Sequence, residues 1–235
     1  MTRPLLKARV HVGGVGRIGS EVIVALKAAG LGSVSCNDHQ RFEQEQLSTS
    51  LIGQSSDIGR PKVHVLERFL AGGGDFLIES LVLPNEAEQV QPYVKRADLV
   101  ISCANSLPAR LHLQRLATEF GKPCIQACVQ DGRIAMGGMV SLWAPDAGAA
   151  CFGCLLPNRP RFRRGEILYP TITRMIANLA AHAATLMLSG DPRDFIKQHN
   201  LLIFDLHQYA LERFFVARRP SCADCDPHRV RRKQA

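Results

Sequence analysis

The sequence has 235 residues, 46% hydrophobic and 21% charged, a balance that excludes a disordered chain and is ordinary for a globular protein. No apolar run approaches the roughly 20 residues that span a bilayer, and residues 1–12 lead straight into a glycine-rich turn, unlike a signal peptide. We therefore expect a cytoplasmic protein, and its formal net charge of +8 favours nucleic acid, phosphates or an acidic protein as partners.

A strand, a glycine-rich turn and a helix open the chain. Gly14, Gly16 and Gly19 follow an apolar strand in the spacing Gly-x-Gly-x-x-Gly, and residues 20–29 have a helical pattern. In nucleotide-binding βαβ units the first glycine permits the tight turn, the second lets the backbone approach a phosphate, and the third lets helix and strand pack closely. The helix N-terminus adds free N–H groups and partial positive charge for an anion.

An acidic residue follows the second strand. Residues 33–36 predict that strand, and Asp38 stands at its end, about twenty residues beyond Gly19, where a carboxylate usually accepts hydrogen bonds from ribose hydroxyls. The turn and Asp38 together predict a nucleotide site. Glycine-rich packing with no ligand is the alternative.

Strands and helices alternate through the next hundred or so residues. The polar residues 41–60 predict a loop with short helical turns over the nucleotide site. Beyond them we expect helices at residues 61–70, 86–93 and 109–120 and strands at residues 76–83, 98–103 and 124–128. This order predicts the α/β class with a Rossmann-like, doubly wound, mainly parallel sheet that binds ligands at the carboxyl ends of its strands.

The pattern changes after Asp131. Residues 139–143 and 201–205 predict strands of an antiparallel C-terminal extension, residues 159–164 form a basic loop, and residues 171–189 predict an Ala-rich helix. One stripe of that helix is expected to face the core, which makes His182 a core histidine; it contains Met175, Leu179, His182, Ala183 and Leu186. We expect one domain over residues 1–227 and a basic tail over residues 228–235.

Two Cys-x-x-Cys pairs, Cys151 with Cys154 and Cys222 with Cys225, predict a metal site. Each pair places two thiolates on a small knuckle, and two such pairs complete a closed, structural Zn²⁺ site. They are too far apart for a compact zinc ribbon, so the fold must bring them together. Unrelated buried cysteines and a redox pair are the alternatives.

The other four cysteines lie in apolar, strand-like surroundings. Cys36, Cys103, Cys124 and Cys128 are therefore predicted to be small core residues. Cys128 stands at a strand end, where a reactive thiol is the alternative.

Several motifs then occur in an order that resembles the ThiF/MoeB/HesA family, the bacterial relatives of ubiquitin-activating enzymes. The resemblance covers roughly residues 5–227. It rests on the glycine turn, the acidic strand end, Asp57-Ile58-Gly59-Arg60-Pro61-Lys62, Asp98-Leu99-Val100-Ile101-Ser102-Cys103, Gly121-Lys122-Pro123, Cys151-x-x-Cys154-Leu155-Leu156-Pro157 and Arg219-Pro220-Ser221-Cys222-x-x-Cys225.

The resemblance implies an ATP-dependent adenylyltransferase, usually a homodimer, that activates the C-terminal carboxylate of a small ubiquitin-like or sulfur-carrier protein. By position, Gly14, Gly16 and Gly19 would cradle the phosphates, Asp38 would hold the ribose and Lys62 would reach the phosphate chain. A Mg²⁺ ion and a structural Zn²⁺ ion are implied as well.

The sequence departs from the family pattern at three positions. Arg17 replaces a glycine, Thr49 stands where the family has a phosphate-contacting arginine, and Asn105 stands where it has the aspartate that holds Mg²⁺. Asn105 still offers a carbonyl oxygen, although a neutral ligand holds Mg²⁺ less well than a carboxylate. Arg17, Arg60 or the loop at residues 159–164 could supply the missing cation, and no cysteine follows in residues 155–221 to act as an acyl acceptor.

Other functions remain open at this point. A catalytically degenerate homologue could bind a nucleotide or peptide as a subunit or scaffold, which Thr49 and Asn105 favour. The basic loop and tail could contact nucleic acid, including an RNA-borne carboxylate, although interleaved aromatic residues are missing. The glycine turn also resembles that of nicotinamide-dependent dehydrogenases, which the order of cysteine pairs does not fit.

Overall fold

A computed structural model describes residues 3–72, 75–129, 134–156 and 167–226. The helices are α1 (Arg3–Lys7), α2 (Arg17–Ala28), α3 (Lys62–Leu70), α4 (Gln91–Arg96), α5 (Leu107–Glu119), α6 (Phe152–Leu155), α7 (Pro170–Ser189) and α8 (Pro192–Ile196). The strands are β1 (Arg9–Gly13), β2 (Ser33–Asn37), β3 (Leu77–Leu81), β4 (Leu99–Ser102), β5 (Cys124–Val129), β6 (Ile134–Ala135), β7 (Gly137–Trp143), β8 (Ile167–Leu168), β9 (Leu201–Asp205) and β10 (Ala210–Phe214).

Eight of these strands form one mixed sheet, in the order β10-β9-β7-β5-β4-β1-β2-β3. The five strands β1 to β5 are parallel, with β1 between β2 and β4. The strands β7, β9 and β10 continue the sheet in antiparallel fashion from β5. The predicted mainly parallel sheet with an antiparallel C-terminal extension is therefore confirmed, and β10 is an addition to it.

Two hydrophobic cores cover the two faces of the sheet. One face packs Val10, Val12 and Ile101 against α2, α3 and α7. The other packs Val100 and Trp143 against α4, α5 and the cysteine knuckles. With helices on both faces, the ends of the parallel strands stay open for a ligand.

The helix after the glycine turn begins earlier than predicted. Helix α2 starts at Arg17, directly after its N-cap Gly16, whereas the sequence pattern places its start at residue 20. Gly19 therefore lies in the first turn of the helix. A Cβ atom there would overlap the carbonyl oxygen of Gly14, so only glycine fits.

The predicted core face of α7 is only partly correct: Ala183 is buried and Leu179 packs against the core, but the other three residues do not. Met175 and Leu186 are exposed, and so is His182, which is therefore not a core histidine. The buried positions include Ile176, Ala180 and Ala184. Arg174, Asn178 and His182 form a polar stripe, and the buried face lies opposite to it. The predicted stripe includes His182 and is therefore rotated toward the solvent-exposed side.

Two predicted features lie outside the described residues: the basic loop at residues 159–164 and the tail at residues 228–235. The domain limits at residues 1–227 stay a prediction. Among the described residues, no helix is long and apolar enough to cross a membrane.

Candidate nucleotide site and metal centre

A cleft lies at the carboxyl ends of β1, β2 and β4, where the parallel strands open between the two helix layers. It brings together three groups that the sequence analysis singled out, namely the glycine turn, Asp38 and Asn105. The described residues that line it are Gly14, Gly16, Asp38, His39, Gln40, Asn85, Glu86, Cys103, Ala104, Asn105, Ser106 and Ala109.

The glycine turn forms the floor of this cleft. Gly14 has φ +93°, a left-handed conformation, and a Cβ atom there would lie 3.0 Å from backbone atoms of Cys103 and Ala104. At Gly16 a Cβ atom would meet nothing within 4 Å. The missing side chain at Gly16 thus leaves open space above the backbone, which is what a phosphate group needs for close approach.

Asp38 fixes the turn from the end of β2. Its buried carboxylate accepts a hydrogen bond from the Val15 N–H at 2.9 Å and one from the Gln40 N–H at 2.8 Å. Asp38 therefore lies against the glycine turn, and its role as a ribose acceptor stays a prediction.

Two helices begin at the cleft. Gly16 is the N-cap of α2, and Ser106 is the N-cap of α5, where its hydroxyl accepts a hydrogen bond from the Ala109 N–H at 3.2 Å. The N-terminus of α2 has no side-chain cap, whereas in α5 Pro108 has no N–H group and Ser106 accepts from the N–H groups of Ala109 and Arg110. Both helices direct the partial positive charge of their N-termini to the same cleft. This arrangement suits a bound anion such as a phosphate chain.

Lys62 lies one side chain away from the lining. It is the first residue of α3, it is buried, and its Nζ donates a hydrogen bond to Gln40 Oε1 at 2.6 Å. Gln40 lines the cleft beside Asp38. Arg17, the first residue of α2, directly follows the cleft residue Gly16. The catalytic roles predicted for Lys62, Arg17 and the exposed Asn105 remain predictions.

The segment before Lys62 is braced by a buried carboxylate. Asp57 accepts hydrogen bonds from Arg68 on both oxygens, at 3.0 and 2.6 Å, and from the Gln54 N–H at 3.0 Å. Burial would raise the pKa of Asp57, but these hydrogen bonds and the Arg68 charge lower it below its usual value. The Asp57–Arg68 pair therefore ties the loop to α3, where Lys62 is placed.

The proposed substitutes for the family arginine are not in the described lining. The side chain of Arg60 is 57% exposed and lies 3.5 Å from Asp57, so it makes a surface contact. Thr49 bonds within its own turn, donating from Oγ1 to the Gln46 carbonyl at 3.5 Å.

Two charged residues near the cleft were not predicted from sequence. Glu86 adds an exposed carboxylate to the lining. Arg110, one turn into α5, is buried and donates to the carbonyls of Ser102 and Ala127 at 3.2 and 3.0 Å. No local pattern marks either residue, because tertiary packing alone brings Glu86 to the cleft and Arg110 to the ends of β4 and β5.

The two cysteine pairs meet as predicted. The four Sγ atoms are buried and all lie within 4.8 Å of one another, and the contacts Cys151–Cys222 and Cys154–Cys225 are 3.7 Å. A tetrahedron with Zn–S bonds of about 2.3 Å has sulfur–sulfur edges of about 3.8 Å. The four sulfurs therefore fit a closed tetrahedral metal site without a position for a substrate.

Neighbouring groups hold the knuckles of this cluster in place. The Arg219 N–H donates a hydrogen bond to the Cys154 sulfur at 3.5 Å. Hydrogen bonds among the four thiols lower the pKa of Cys154 and Cys222 and raise the pKa of Cys151 and Cys225. Asp224, inside the second pair, forms a 3.0 Å ion pair with Arg115 of α5. The cluster thus fastens the last described segment to the helix layer.

Comparison with known proteins agrees with this architecture. The profile of the ThiF family matches residues 2–224. The chain belongs to the ThiF family.

Relatives within this group are distant in sequence but similar in length. The sulfur carrier protein adenylyltransferase of Thermus thermophilus is 26% identical over 243 residues, covering 97% of this chain and 86% of that protein. The sulfur carrier protein ThiS adenylyltransferase of Escherichia coli is 25% identical over 191 residues, covering 79% and 74%. A crystal structure of E. coli MccB with ATP has a TM-score of 0.78 at 18% identity, covering 95% of this chain and 67% of that one, and shares the fold.

Proposed function

We propose that this protein is an ATP-dependent adenylyltransferase that activates a carboxylate, the C-terminus of a small ubiquitin-like or sulfur-carrier protein. The observation that carries the proposal is the cleft itself: an open glycine turn, two helix N-termini and Asp38 converge there, with Lys62 one hydrogen bond away. Two relatives in the ThiF family are adenylyltransferases of sulfur carriers by name.

The chemistry explains the use of these groups. A carboxylate resists nucleophilic attack, and joining it to AMP gives it a good leaving group. Its attack on the α-phosphate brings two anions together, so the site must supply positive charge. The helix N-termini and Lys62 supply such charge here, and Gly16 leaves the space in which the triphosphate would lie.

Two metals belong to the proposal. Mg²⁺, when bound, would neutralise phosphate oxygens, and the oxygen ligands at hand are the Asn105 carbonyl and the Glu86 carboxylate. Zn²⁺ in the four-cysteine cluster, when bound, would be structural.

We further propose a homodimer, and the exposed apolar side chains Met175 and Leu186 on α7 offer a surface for a second copy.

The test is ATP–pyrophosphate exchange by the full chain with Mg²⁺. Carboxylate substrates would be the E. coli sulfur carrier ThiS and synthetic peptides ending in Gly-Gly. We expect exchange that depends on the carboxylate and falls at least 100-fold in Lys62→Ala, because the cation beside the phosphates is lost. Lys95→Ala, at an exposed position on α4, is the matched control and should keep full activity.

A catalytically degenerate homologue is the second candidate, favoured by Thr49 and Asn105. It predicts binding of ATP in calorimetry with no exchange for any carboxylate. Restoring the family residues with Thr49→Arg and Asn105→Asp would then create exchange where the unsubstituted chain has none. Exchange by the unsubstituted chain would exclude this candidate.

A further inference from the structure

A second cleft lies at the amino ends of β1, β2 and β3, the opposite edge of the sheet from the nucleotide site. Arg9, Ser33 and Leu77 are the first residues of these strands, they are aligned across the sheet, and all three line this amino-end cleft. Its volume is about 770 Å³, within the usual range of small-molecule clefts. It shares no lining residue with the nucleotide site, so the proposed function gives it no role.

The walls of the amino-end cleft are largely apolar and partly uncovered. Leu6 of α1, Phe69 of α3 and Leu77 of β3 are 56%, 39% and 67% exposed, and all three line it. Val24 and Phe76 are half-buried beside them and pack against the first core. Single exposed apolar residues are normal, but these three share one concave surface. A ligand with an apolar body would remove that surface from water.

Fixed contacts join the helices around the amino-end cleft. The Gly32 N–H, in the turn after α2, donates a hydrogen bond to the Leu5 carbonyl of α1 at 3.1 Å. Lys27 of α2 donates from Nζ to the carbonyl of Leu70, the last residue of α3, at 2.8 Å, and its Nζ lies 5.7 Å from the Phe76 ring centroid. The cleft is therefore built into the fold, since α1, α2 and α3 are tied together around it.

The charges at the amino-end cleft favour an anion. Its charged lining residues are the cations Lys7, Arg9 and Lys27 and the carboxylate Asp75. Helices α2 and α3 end here, and the partial negative charge of helix C-termini opposes an anion. Lys27 offsets that charge through its bond to the Leu70 carbonyl. The side chains of Lys7 and Arg9 form no ion pair or hydrogen bond within the part of the chain that the structure describes, so their charges are uncommitted.

We propose that the amino-end cleft binds an amphipathic organic anion, a small molecule with one anionic group on an apolar aromatic or aliphatic body. The anionic group lies between Lys7 and Arg9, and the apolar body covers Phe69 and Leu77. An inorganic anion would leave the apolar wall in water, and a neutral apolar molecule would leave the two cations without a partner. The inference does not depend on the proposed function, because it uses no residue of the nucleotide site.

The first experiment uses a fluorescent probe of this chemistry, 1-anilinonaphthalene-8-sulfonate. The probe is titrated into the full-length protein supplemented with Zn²⁺, with and without ATP and Mg²⁺. We expect one saturable site that remains when ATP is present, because the two clefts lie at opposite edges of the sheet. Loss of all probe binding on addition of ATP would place the probe in the nucleotide site and overturn the inference.

Competition then separates the two parts of the ligand. Octanoate contains both parts, whereas acetate supplies the anion without a long apolar body and octan-1-ol supplies the body without the charge. We expect octanoate to displace the probe at a concentration at least about tenfold lower than either of the other two. Equal displacement by acetate or by octan-1-ol would overturn the inference. So would stronger displacement by a peptide of alternating leucine and glutamate, which would assign the cleft to a protein segment.

Substitutions test whether the probe occupies the amino-end cleft. Lys7→Met and Arg9→Met keep an apolar stem without the charge and should each raise the Kd of the probe at least about fivefold, and Phe69→Ala at least about threefold. Lys95→Met on α4 and Phe215→Ala beyond β10, both at exposed positions, are the matched controls and should bind like the unsubstituted chain. Melting temperatures establish that each variant is folded. Unchanged affinity in folded Lys7→Met and Arg9→Met would refute the proposed site.

Discussion

Asp38 shows how one side chain links the fold to the proposed ligand. Its carboxylate holds the N–H groups of Val15 and Gln40, so the same residue positions the glycine turn and borders the cleft. A change at this residue should therefore affect nucleotide binding more than overall stability, since the turn lies at an open end of the sheet.

Asp38→Ala is expected to raise the Kd for ATP at least tenfold. Loss of the carboxylate removes the proposed ribose acceptor and frees the turn that receives the phosphates. Isothermal calorimetry with ATP and Mg²⁺ measures the change. Asp75→Asn, an exposed acidic position away from the cleft, is the control and should bind like the unsubstituted chain. Equal affinities for both variants would refute the assignment of Asp38.

Sequence alone predicts those site residues whose role follows from a short local motif. The positive φ of Gly14 and the open space at Gly16 follow from the glycine spacing, and the cysteine spacing indicates the knuckles. Glu86 and Arg110 could not be found this way, because each reaches the cleft region only through packing of distant segments.

At the scale of elements, α3 depends on the loop that precedes it. The Asp57–Arg68 pair joins the two, and Asp57 is fully buried while the Arg68 side chain is 34% exposed. A buried carboxylate that loses its partner is strongly destabilising, whereas an exposed ion pair contributes little. Arg68 and Arg60 both contact Asp57, but they should differ greatly in their contribution to the free energy of unfolding.

Arg68→Met should lower the free energy of unfolding by about 2–4 kcal/mol at pH 7, and Arg60→Met by less than about 1 kcal/mol. Because the folded pKa of Asp57 is lowered, its stabilisation is present above the usual aspartate pKa and is lost as the pH falls through the folded value. The difference between Arg68→Met and the unsubstituted chain should hence shrink in acid. Urea unfolding at several pH values tests this, and equal effects of the two substitutions would contradict it.

A second carboxylate, Glu21 of α2, has a pKa that is shifted in the opposite direction from that of Asp57. Glu21 of α2 is buried, and burial raises its pKa to about 7, although Arg174 of α7, 3.5 Å away, lowers it. The folded state thus binds a proton more tightly than the unfolded chain does. Stability should fall as the pH rises from about 4.5 to about 7.

Glu21→Gln should remove that part of the pH dependence and stabilise the protein by about 1–2 kcal/mol at pH 8. Glu88→Gln, at an exposed position, is the matched control and should leave the profile unchanged. Melting temperatures from pH 5 to 8 provide the measurement. A Glu21→Gln profile that keeps the full slope would assign the titration to other groups.

The alternation of elements in sequence indicates the order of strands and helices well, because each helix covers a strand pair and must be amphipathic. It shows the buried face of α7 only when the polar stripe of Arg174, Asn178 and His182 is used as the guide, because Met175 and Leu186 extend the apolar surface beyond the buried face. It also does not indicate β10, whose residues are mostly exposed at the edge of the sheet and include Glu212 and Arg213.

At the scale of the whole molecule, the four-cysteine cluster connects two distant parts of the chain. Removing the proposed metal is expected to loosen the antiparallel extension, since Cys222 stands eight residues after the end of β10 at Phe214. The core on the opposite face of the sheet, which contains residues of α2, α3 and α7, should be affected less.

We expect one Zn²⁺ per chain by elemental analysis, and a melting temperature about 10 °C lower after chelation, equivalent to about 3 kcal/mol. Cys222→Ser should reproduce both the loss of metal and the loss of stability. Cys128→Ser, outside the cluster, should retain the metal. If the chelated protein contains no metal but keeps the same melting temperature, the cluster does not need a metal for its stability.

The separation of the two knuckles also bears on how the protein folds. Cys151 and Cys222 are 71 residues apart, so closing that segment has an entropic penalty that must be met before any metal can be held by both pairs. Half of the site would bind the proposed Zn²⁺ weakly, so we expect metal capture to follow formation of the sheet. The proposed metal should therefore slow unfolding more than it speeds folding.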